Sequence, residues 1–378
     1  EKTEYIYLYF DKVKKLKENG NITEWHLGKD YLTFLPGCAD VVFKTPIVRF
    51  DEPEIVKAEE LGAEITSEIE VLMKLCPCKI FGITGSDGKT TTTTIAYLLL
   101  SSASEGKVWV GGNIGTPLLK YLPEMTENDT VVLELSSFQL MNIKESPDVS
   151  VITNITPNHL DVHKSYEEYI EAKKMVYMNR GDDAVVILNK DNDITNRIGD
   201  EISGCVKMFS YTGKSDNGAW YKDGEIFYTV GDTTVKIMDS SDISIPGKHN
   251  VENYLAAITA VFEYISIDKI KDIATSFKGV PHRIQLVREL EGVKYYNSSI
   301  DSSPNRSINA LSVFENKSVV MIAGGKDKNI PYDDIGAPIA DKVKVLILTG
   351  PTADKIEKAV LDEFETRNIQ CDIVIIHC

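Results

Sequence analysis

Short, continuously apolar runs alternate with helical patterns through the middle of the chain. Strands are predicted over Ile80–Thr84, Thr130–Leu135, Val149–Ile155 and Ala184–Asn189. The helical spacing between them is clearest over Tyr166–Met178. Short apolar strands that alternate with helices are typical of a mostly parallel sheet covered on both faces. The pattern therefore predicts an α/β fold for residues 76–280.

The later part of the chain changes character twice. Residues 208–245 contain alternating segments and Thr-Gly, Asn-Gly and Asp-Gly turns, which predict a small antiparallel excursion, followed by a helix through Phe262. Residues 281–378 alternate again and indicate a small Rossmann-like domain. Its strands are predicted at Val293–Asn297, Val319–Ala323, Val343–Thr349 and Ile373–Ile376, and its helices at Asn305–Phe314 and Thr352–Phe364.

The first 75 residues are the least regular part. They predict a helix over Lys12–Gly20, a strand over Asp40–Lys44 and a helix over Pro53–Gly62. No glycine-rich turn precedes these elements, so we expect the later part of an α/β domain whose first strand and turn are missing. We predict three domains, at residues 1–75, 76–280 and 281–378, of which the first and the last are incomplete.

Composition and charge narrow the possible partners. A chain of 378 residues can form two or three domains with ample core. Its net charge of −16 argues against nucleic acid, because binding the phosphate backbone needs a basic face. No apolar run approaches the roughly 18 residues of a membrane span, and the six cysteines show no zinc spacing. We therefore expect a cytoplasmic monomer with reduced thiols and no membrane partner.

The segment Lys79–Thr91 predicts a buried strand, a glycine-rich turn and the start of a helix. Gly85 and Gly88 would let backbone N–H groups face an anion, while Lys89 adds a positive charge. Ile83 stands where the strict P-loop pattern has its first glycine, which leaves a shorter Gly-x-x-Gly-Lys-Thr form. An ordinary turn with a surface lysine is the alternative, but the strand and helix context favours a nucleoside triphosphate. The predicted nucleotide-binding residues are Gly85, Ser86, Asp87, Gly88, Lys89, Thr90 and Thr91, with the Thr90 hydroxyl also offered to Mg²⁺.

Acidic and imidazole groups follow two apolar strands. Glu134 ends one strand, and the carboxyl ends of parallel strands face the ligand, so it could hold Mg²⁺ beside Thr90. His159 and His163 follow another strand and could share a face if they lay on a helix. We favour His159 near a second Mg²⁺ or the reacting group and His163 as structural. A zinc pair is the alternative, although no third ligand has suitable spacing.

Other polar segments are weaker signals. The turn Gly111–Pro117 carries Asn113, which could meet a sugar or carboxylate or belong only to a tight loop. Arg283 stands at a predicted domain junction, where an arginine could clamp phosphate when domains close. Lys173 lies on a predicted helix, and by itself a helical lysine is expected to be solvated.

Six of these motifs in this order resemble the Mur ligases of peptidoglycan synthesis. They are Gly85–Thr91, Gly111–Pro117, Glu134–Gln139, Asn158–Asp161, Gly247–Asn253 and Pro281–Arg283. The resemblance runs from about Val41 to the last residue, and it is strongest to the members that join D-glutamate to UDP-N-acetylmuramoyl-L-alanine. It implies a UDP-binding domain, an ATP-binding P-loop domain and a Rossmann-like domain. It also implies two steps, in which ATP converts a carboxylate to an acyl phosphate that the amine then attacks.

The resemblance assigns roles residue by residue. The catalytic residues would be Lys89, Glu134, His159 and Lys173, and two Mg²⁺ ions would be held by Thr90, Glu134, His159 and a carbamylated Lys173. The adenine of ATP would contact Asn250 and Asn253, and its phosphates would contact Arg283. The muramoyl-alanine end would contact Asn113, Ser136 and Gln139, and D-glutamate would contact Ser302 and Lys328.

The chain also departs from the family. Ser298 and Ile300 stand where many relatives carry Asp and Lys, which puts the usual ATP contact of that Asp in doubt. Asn158 replaces a frequent Asp, and Lys44–Val48 lacks a common Gly. The family's uracil-binding turn would precede residue 1, and part of its glutamate site would follow Cys378.

Three other functions are compatible with these residues. Another Mur-type or folylpolyglutamate-type amide ligase would use the same phosphate loop with a different amino acid. A non-catalytic ATP-binding relative would bind ATP without substrate-dependent phosphate release. A general P-loop phosphotransferase would transfer phosphate without forming an amide.

Overall fold

The computed structural model describes residue 26, residues 28–328 and residues 330–378. The chain divides into two compact units, Glu1–Glu68 and Ile69–Cys378. The helix predicted over Lys12–Gly20 lies outside the described residues. The predicted domain borders after residues 75 and 280 stay predictions.

The first unit contains a small parallel α/β motif. Strand β1 (Val41–Phe43) pairs in parallel with β2 (Glu64–Thr66), and helix α1 (Pro53–Glu60) connects them. Pro53 begins the helix, where its missing N–H costs no hydrogen bond. Ile55 and Ala58 are buried on its inner face with Val42 and Ile65 of the strands. The strand and the helix predicted in this region are both present.

The second unit contains the remaining α-helices and strands of the described chain. The helices are α2 (Glu68–Leu75, which begins at the unit border), α3 (Lys89–Ala103), α4 (Ser137–Leu140), α5 (Tyr166–Met178), α6 (Asp193–Glu201), α7 (Lys248–Val261), α8 (Ile267–Ser276), α9 (Pro304–Leu311), α10 (Gly336–Lys342) and α11 (Ala353–Thr366). The strands are β3 (Lys79–Thr84), β4 (Val108–Gly112), β5 (Thr130–Glu134), β6 (Val149–Ile152), β7 (Val185–Asn189), β8 (Cys205–Phe209), β9 (Asn217–Lys222), β10 (Glu225–Val230), β11 (Thr233–Asp239), β12 (Gln285–Leu290), β13 (Val293–Asn297), β14 (Val319–Gly324), β15 (Val343–Thr349) and β16 (Val374–His377).

A six-stranded parallel sheet forms the centre of the second unit. Its strand order is β4-β5-β3-β6-β7-β8, and every pair is parallel. Val131, Val132 and Leu133 are successive in β5 and all fully buried, and they pack into two different hydrophobic clusters. Because successive strand residues point to opposite faces, both faces of this sheet are covered. The predicted α/β fold with a mostly parallel sheet is confirmed.

Two strands of the six-stranded parallel sheet were not predicted. Strand β4 ends at Gly112, so Gly111 and Gly112 belong to a strand rather than to the predicted turn. Strand β8 adds to the edge of the parallel sheet, and the antiparallel sheet β11-β10-β9 begins only at Asn217. The antiparallel excursion was therefore predicted to begin too early. Both missed strands lie at the sheet edges, where partly exposed residues interrupt the apolar run.

The last hundred residues also differ from a simple strand–helix alternation. Strand β13 pairs antiparallel with β12 as a hairpin instead of joining the parallel sheet β14-β15-β16. Glu291 and Gly292 at its turn both have positive φ, at 51° and 78°. Two central residues with positive φ give a turn whose twist matches that of a hairpin. The strands predicted at Val319–Ala323 and Val343–Thr349 are present in the parallel sheet.

Two further predictions concern membranes and thiols. Among the described residues, no helix combines the length and the apolar character that crossing a bilayer requires. All six cysteines are unpaired in the structure, and their reduced state stays a prediction. The sulfur atoms of Cys76 and Cys78 lie 3.4 Å apart at a hydrogen-bond contact.

Candidate active site

The loop between β3 and α3 has the backbone geometry of a phosphate cradle. Gly85 and Gly88 have φ of +147° and +82°, a region that favours glycine. A Cβ on Gly85 would lie 1.9 Å from Thr153 Oγ1, and one on Gly88 would lie 2.3 Å from Asn253 Oδ1. Thr153 also donates its hydroxyl to the carbonyl of Asp87, at 2.6 Å. The loop is therefore fixed from the ends of β3 and β6, with α3 beginning directly after it.

Lys89 curls back over this loop. Its Nζ donates to the carbonyl oxygens of Gly85, at 2.7 Å, and Ser86, at 2.9 Å. Burial of the ammonium group and the nearby charge of Arg306 lower its pKa to about 8, against the opposing effect of Glu134. Binding of an anion would stabilise the charged form of this ammonium group, which is the property expected of a lysine that binds phosphate.

Glu134 lies at the end of β5 with one carboxylate oxygen unsatisfied. Asn113 Nδ2 donates to Oε1 at 2.8 Å, whereas Oε2 is buried with no hydrogen-bond partner. A buried carboxylate oxygen that lacks a donor fits a hard cation, because leaving such an oxygen unpaired is costly. Thr90 is buried at the start of α3, and its Oγ1 accepts a hydrogen bond from Arg283 Nη2 at 3.1 Å. The oxygen donors predicted for Mg²⁺ therefore fit that ion.

Lys173 is buried, contrary to the expectation for an isolated helical lysine. Its side chain is 1% exposed, and Nζ donates to the carbonyl of Gly85 at 2.7 Å. The ring of Tyr169 covers it at 4.7 Å from Nζ. Burial, reinforced by the charge of Lys89, holds the pKa of Lys173 well below its usual range. The lowered pKa increases the fraction of this amine that is unprotonated and nucleophilic.

The two histidines after β6 have different surroundings. His159 lies outside any helix with φ of +56°, and burial together with the charge of Lys328 lowers its pKa to about 4. A neutral imidazole is the form that binds a metal. His163 Nε2 lies 3.0 Å from Ser137 Oγ, and Nδ1 lies 3.5 Å from Glu168 Oε2. The two histidines do not share a helix face, and the contacts of His163 agree with the structural role predicted for it.

A cavity of about 620 Å³ opens beside the phosphate loop. Asp87, Gly88 and Thr91 of the predicted nucleotide site line it, and so do Asn250 and Asn253 from the first turns of α7. Asn253 Nδ2 donates to Asn250 Oδ1 at 3.3 Å. Arg283, also in the lining, is the residue that reaches Thr90. The structure thus brings three of the seven predicted loop residues, Arg283 and the two asparagines to one cavity of a size typical for a nucleotide, whereas the lining does not include the other loop residues, Gly85, Ser86, Lys89 and Thr90.

The residues predicted for the other substrates do not line this cavity. Ser136 and Gln139 form a capping box at the start of α4, with Ser136 Oγ donating to Gln139 Oε1 at 2.9 Å. Lys328 Nζ donates to Ser302 Oγ at 3.0 Å, so the pair assigned to D-glutamate is in contact. The roles assigned to all of these residues stay predictions.

Asp301 and Arg306 belong to the site but were missed from the sequence. Asp301 lines the cavity and accepts a hydrogen bond from the hydroxyl of Ser298. Burial raises its pKa. Arg306 lines the cavity and forms an ion pair with Asp87, Nε to Oδ1, at 2.7 Å. The helix that carries Arg306 was predicted, over Asn305–Phe314, but no local pattern joins Arg306 to a loop 219 positions earlier.

The site gathers positive charge in a chain whose net charge is −16. Arg306 lowers the pKa of Lys89, Arg283 and Lys328, in each case after the larger effect of burial. Cations that destabilise one another in this way form a local anion site, because their mutual repulsion is relieved when a polyanion binds.

Residues 83–261 match the Mur ligase middle domain. The chain is 52% identical over 369 residues to the UDP-N-acetylmuramoylalanine–D-glutamate ligase of Ruminiclostridium cellulolyticum, across 97% of this chain and 78% of the relative. It is 50% identical over 376 residues to the ligase of the same name from Acetivibrio thermocellus, across 98% and 80% of the two chains.

Solved structures share the fold at lower identity. MurF from Acinetobacter baumannii matches with a TM-score of 0.62 and 16% identity, over 92% of this chain and 88% of that one. MurF ligase from Thermotoga maritima, solved in complex with ADP, matches with a TM-score of 0.56 and 21% identity, over 93% and 95%.

Proposed function

The chain belongs to the Mur ligase family, and we propose that it joins D-glutamate to UDP-N-acetylmuramoyl-L-alanine with conversion of ATP to ADP and phosphate. About half of its residues are identical to those of two ligases of that name over nearly the whole chain. The structural observation that carries the proposal is the phosphate loop, which opens on a cavity reached by Arg283 and Arg306. This reaction contributes to peptidoglycan precursor synthesis.

In the first step, a carboxylate oxygen of the substrate attacks the γ-phosphorus of ATP. A bond forms between the carboxylate oxygen and the γ-phosphorus, and the bond from that phosphorus to the β–γ bridging oxygen breaks. The products of this step are ADP and an acyl phosphate. Two unit charges at 4 Å repel by roughly 4 kcal/mol at an effective dielectric constant of 20, so the site must offset this repulsion. We assign that task to Lys89, which begins α3, and to Arg283, whose guanidinium contacts Thr90 in the first turn of that helix.

We assign Mg²⁺ to the oxygen donors Thr90 and Glu134, and a second ion to His159 and a carbamylated Lys173. When bound, Mg²⁺ neutralises charge on the phosphates. The unpartnered Glu134 Oε2 supports the first assignment. The lowered pKa of Lys173 supports the second, because carbamate formation requires an unprotonated amine that attacks CO₂.

In the second step, the amine of D-glutamate attacks the acyl carbon. A carbon–nitrogen bond forms, the carbon–oxygen bond to phosphate breaks, and the amine loses a proton. We propose that Lys328 and Ser302 hold D-glutamate and that Asn113, Ser136 and Gln139 hold the muramoyl-alanine end. The contact between Lys328 and Ser302 supports a shared task for these two residues.

The finer architecture follows from the same proposal. Residues 76–280 would be the P-loop domain and residues 281–378 a Rossmann-like domain, although its first two strands form a hairpin. A monomeric state and a cytoplasmic location stay predictions.

Phosphate release from Mg-ATP tests the proposal directly. The assay contains UDP-N-acetylmuramoyl-L-alanine and, in turn, D-glutamate, L-glutamate, L-alanine or L-lysine. We expect release only when D-glutamate and the nucleotide substrate are both present, with an amide product of matching mass. Lys271, exposed on α8, provides a control as Lys271→Ala.

Each other outcome points to a different function. Release with a different amino acid would indicate another amide ligase, and phosphate transfer without an amide would indicate a phosphotransferase. ATP binding without release under any condition would contradict catalysis by this chain.

A further inference from the structure

Asp87 places a carboxylate inside the phosphate loop. It is the one acidic residue among Gly85–Thr91, where a triphosphate would bind. Its backbone is fixed on both sides, because its N–H donates to Asn154 Oδ1 at 2.9 Å and its carbonyl accepts from Thr153 Oγ1 at 2.6 Å. These bonds fix the backbone that carries the carboxylate within the loop, and a negative charge there would repel an incoming phosphate.

Arg306 meets this carboxylate from the first turn of α9. Nε donates to Asp87 Oδ1 at 2.7 Å, and Nη2 donates to the carbonyl of Ser86 at 3.1 Å. Nη1 donates to the carbonyl of Ile300 at 3.2 Å, which fixes the guanidinium relative to the start of α9. The Arg306 and Asp87 side chains are only 14% and 15% exposed, so solvent screens this ion pair less than a surface pair.

We propose that Arg306 is a positioning residue for ATP: it neutralises Asp87 and holds the start of α9 against the phosphate loop, so that the loop attracts the triphosphate. This inference rests on the proposed function, because it assumes that the loop binds ATP. Arg306 differs from Lys89 in that its main partner is a side chain of the protein, and its effect on the nucleotide passes through Asp87.

The dependence on Asp87 gives the inference a specific consequence. If Arg306 neutralises Asp87, its removal should weaken nucleotide binding only while the carboxylate is present. Replacing Asp87 with asparagine removes the charge and keeps a similar shape, so Asp87→Asn should restore binding to Arg306→Ala. A purely structural role of Arg306, or a direct bond from Arg306 to phosphate, would not be rescued in this way.

The test is a double-mutant cycle read by the affinity for Mg-ADP, measured by calorimetry on the full chain. Wild type, Arg306→Ala, Asp87→Asn and the double variant are compared, with urea unfolding as a check on folding. Arg367→Ala is the matched control, because Arg367 pairs with Asp341 between elements away from the cavity. KM for ATP and kcat are measured on the same proteins.

We expect Arg306→Ala to weaken Mg-ADP binding roughly tenfold, equivalent to about 1.4 kcal/mol. KM for ATP should rise more than kcat falls, and the double variant should bind within about threefold of Asp87→Asn. Unchanged affinity in Arg306→Ala, or equal losses in the single and double arginine variants, would overturn the inference. Failure of the wild type to bind Mg-ADP would instead contradict the proposed function, so the two failures are distinguishable.

Discussion

At the scale of single residues, Lys89 is the side chain whose loss we expect to affect phosphate release strongly. It is the first residue of α3, and its ammonium already lies on the carbonyl oxygens of Gly85 and Ser86. A triphosphate would provide a stronger partner for that ammonium than two neutral carbonyl groups.

We expect Lys89→Ala to lower kcat for phosphate release by roughly 10²–10³, the effect of losing one donor that stabilises developing charge. Lys271→Ala should keep wild-type activity, and both variants should unfold at a similar urea concentration. An active Lys89→Ala variant would contradict the role assigned to this lysine.

Lys173 offers a second test, which concerns a covalent modification. A carbamate would convert the buried amine to a carboxylate-like group and thereby supply a metal ligand. We expect Lys173→Ala to lose activity and to regain part of it in the presence of a small carboxylate such as acetate.

Lys174 is the matched control for that rescue. It follows Lys173 on α5 but forms an ion pair with Glu171 at 3.0 Å. Lys174→Ala should retain activity and show no response to acetate. An inactive Lys173→Ala variant that acetate does not restore would count against the carbamate.

Individual residues divide into those that the sequence could predict and those that it could not. Gly85, Gly88 and Lys89 belong to a local motif whose spacing carries its geometry. The burial of Lys173 depends on Tyr169 and on the end of β3, and the position of Arg306 depends on a contact 219 residues apart. The sequence contains no local pattern for contacts of this kind.

At the scale of elements, the phosphate loop depends on two backbone conformations that glycine tolerates. Gly88 precedes α3 with φ of +82°, and a Cβ there would overlap Asn253 Oδ1. We expect Gly88→Ala to lower the free energy of unfolding by about 1–3 kcal/mol through this strain. Urea unfolding measures the loss.

Gly181 provides the control for that substitution. It is exposed, and a Cβ there would meet nothing within 4 Å. Gly181→Ala should leave the unfolding midpoint nearly unchanged. A Gly88→Ala variant as stable as Gly181→Ala would show that the loop can relax without cost.

Burial explains why the central strands were predicted and β12 was not, although β13, which is almost as exposed, was predicted with its observed bounds. Strands β3, β5 and β6 are buried throughout most of their length, and their apolar runs predicted them correctly. Strand β12 is exposed at every position, and its sequence mixes charged with apolar residues. An exposed hairpin strand gains stability from its partner β13 and the turn between them, which a run of apolar residues does not reveal.

At the scale of the whole molecule, the distribution of charge matters more than its sum. The chain carries a net charge of −16, yet Lys278, Arg283 and Arg306 balance Asp87, Glu252 and Asp301 in the lining of its cavity. Screening limits long-range repulsion to roughly 8 Å at physiological salt, so local cations can dominate at the site. The net charge can be read from the sequence, whereas the positions of the cations around the phosphate loop can be read only from the fold.

His249 lines the same cavity and makes the stability of the molecule depend on pH. Burial and the charge of Arg283 lower its pKa to about 4, against the opposing effect of Asp87. In the unfolded chain its pKa would be about 6.5. Between these values the unfolded state binds more protons than the folded state, so His249 favours folding above pH 6.5 and this advantage is lost as the pH falls toward 4.

We expect the free energy of unfolding to fall by about 1 kcal/mol from this residue alone between pH 7.5 and pH 5.5. Glutamine cannot take up a proton in this pH range, so the free energy of unfolding should decrease less in His249→Gln than in the wild type. His282 is exposed and provides the control as His282→Gln, which should retain the wild-type pH dependence. The free energy of unfolding of all three proteins is measured with urea at the two pH values. An equal decrease in the wild type and His249→Gln would show that the imidazole of His249 does not make the fold sensitive to acid.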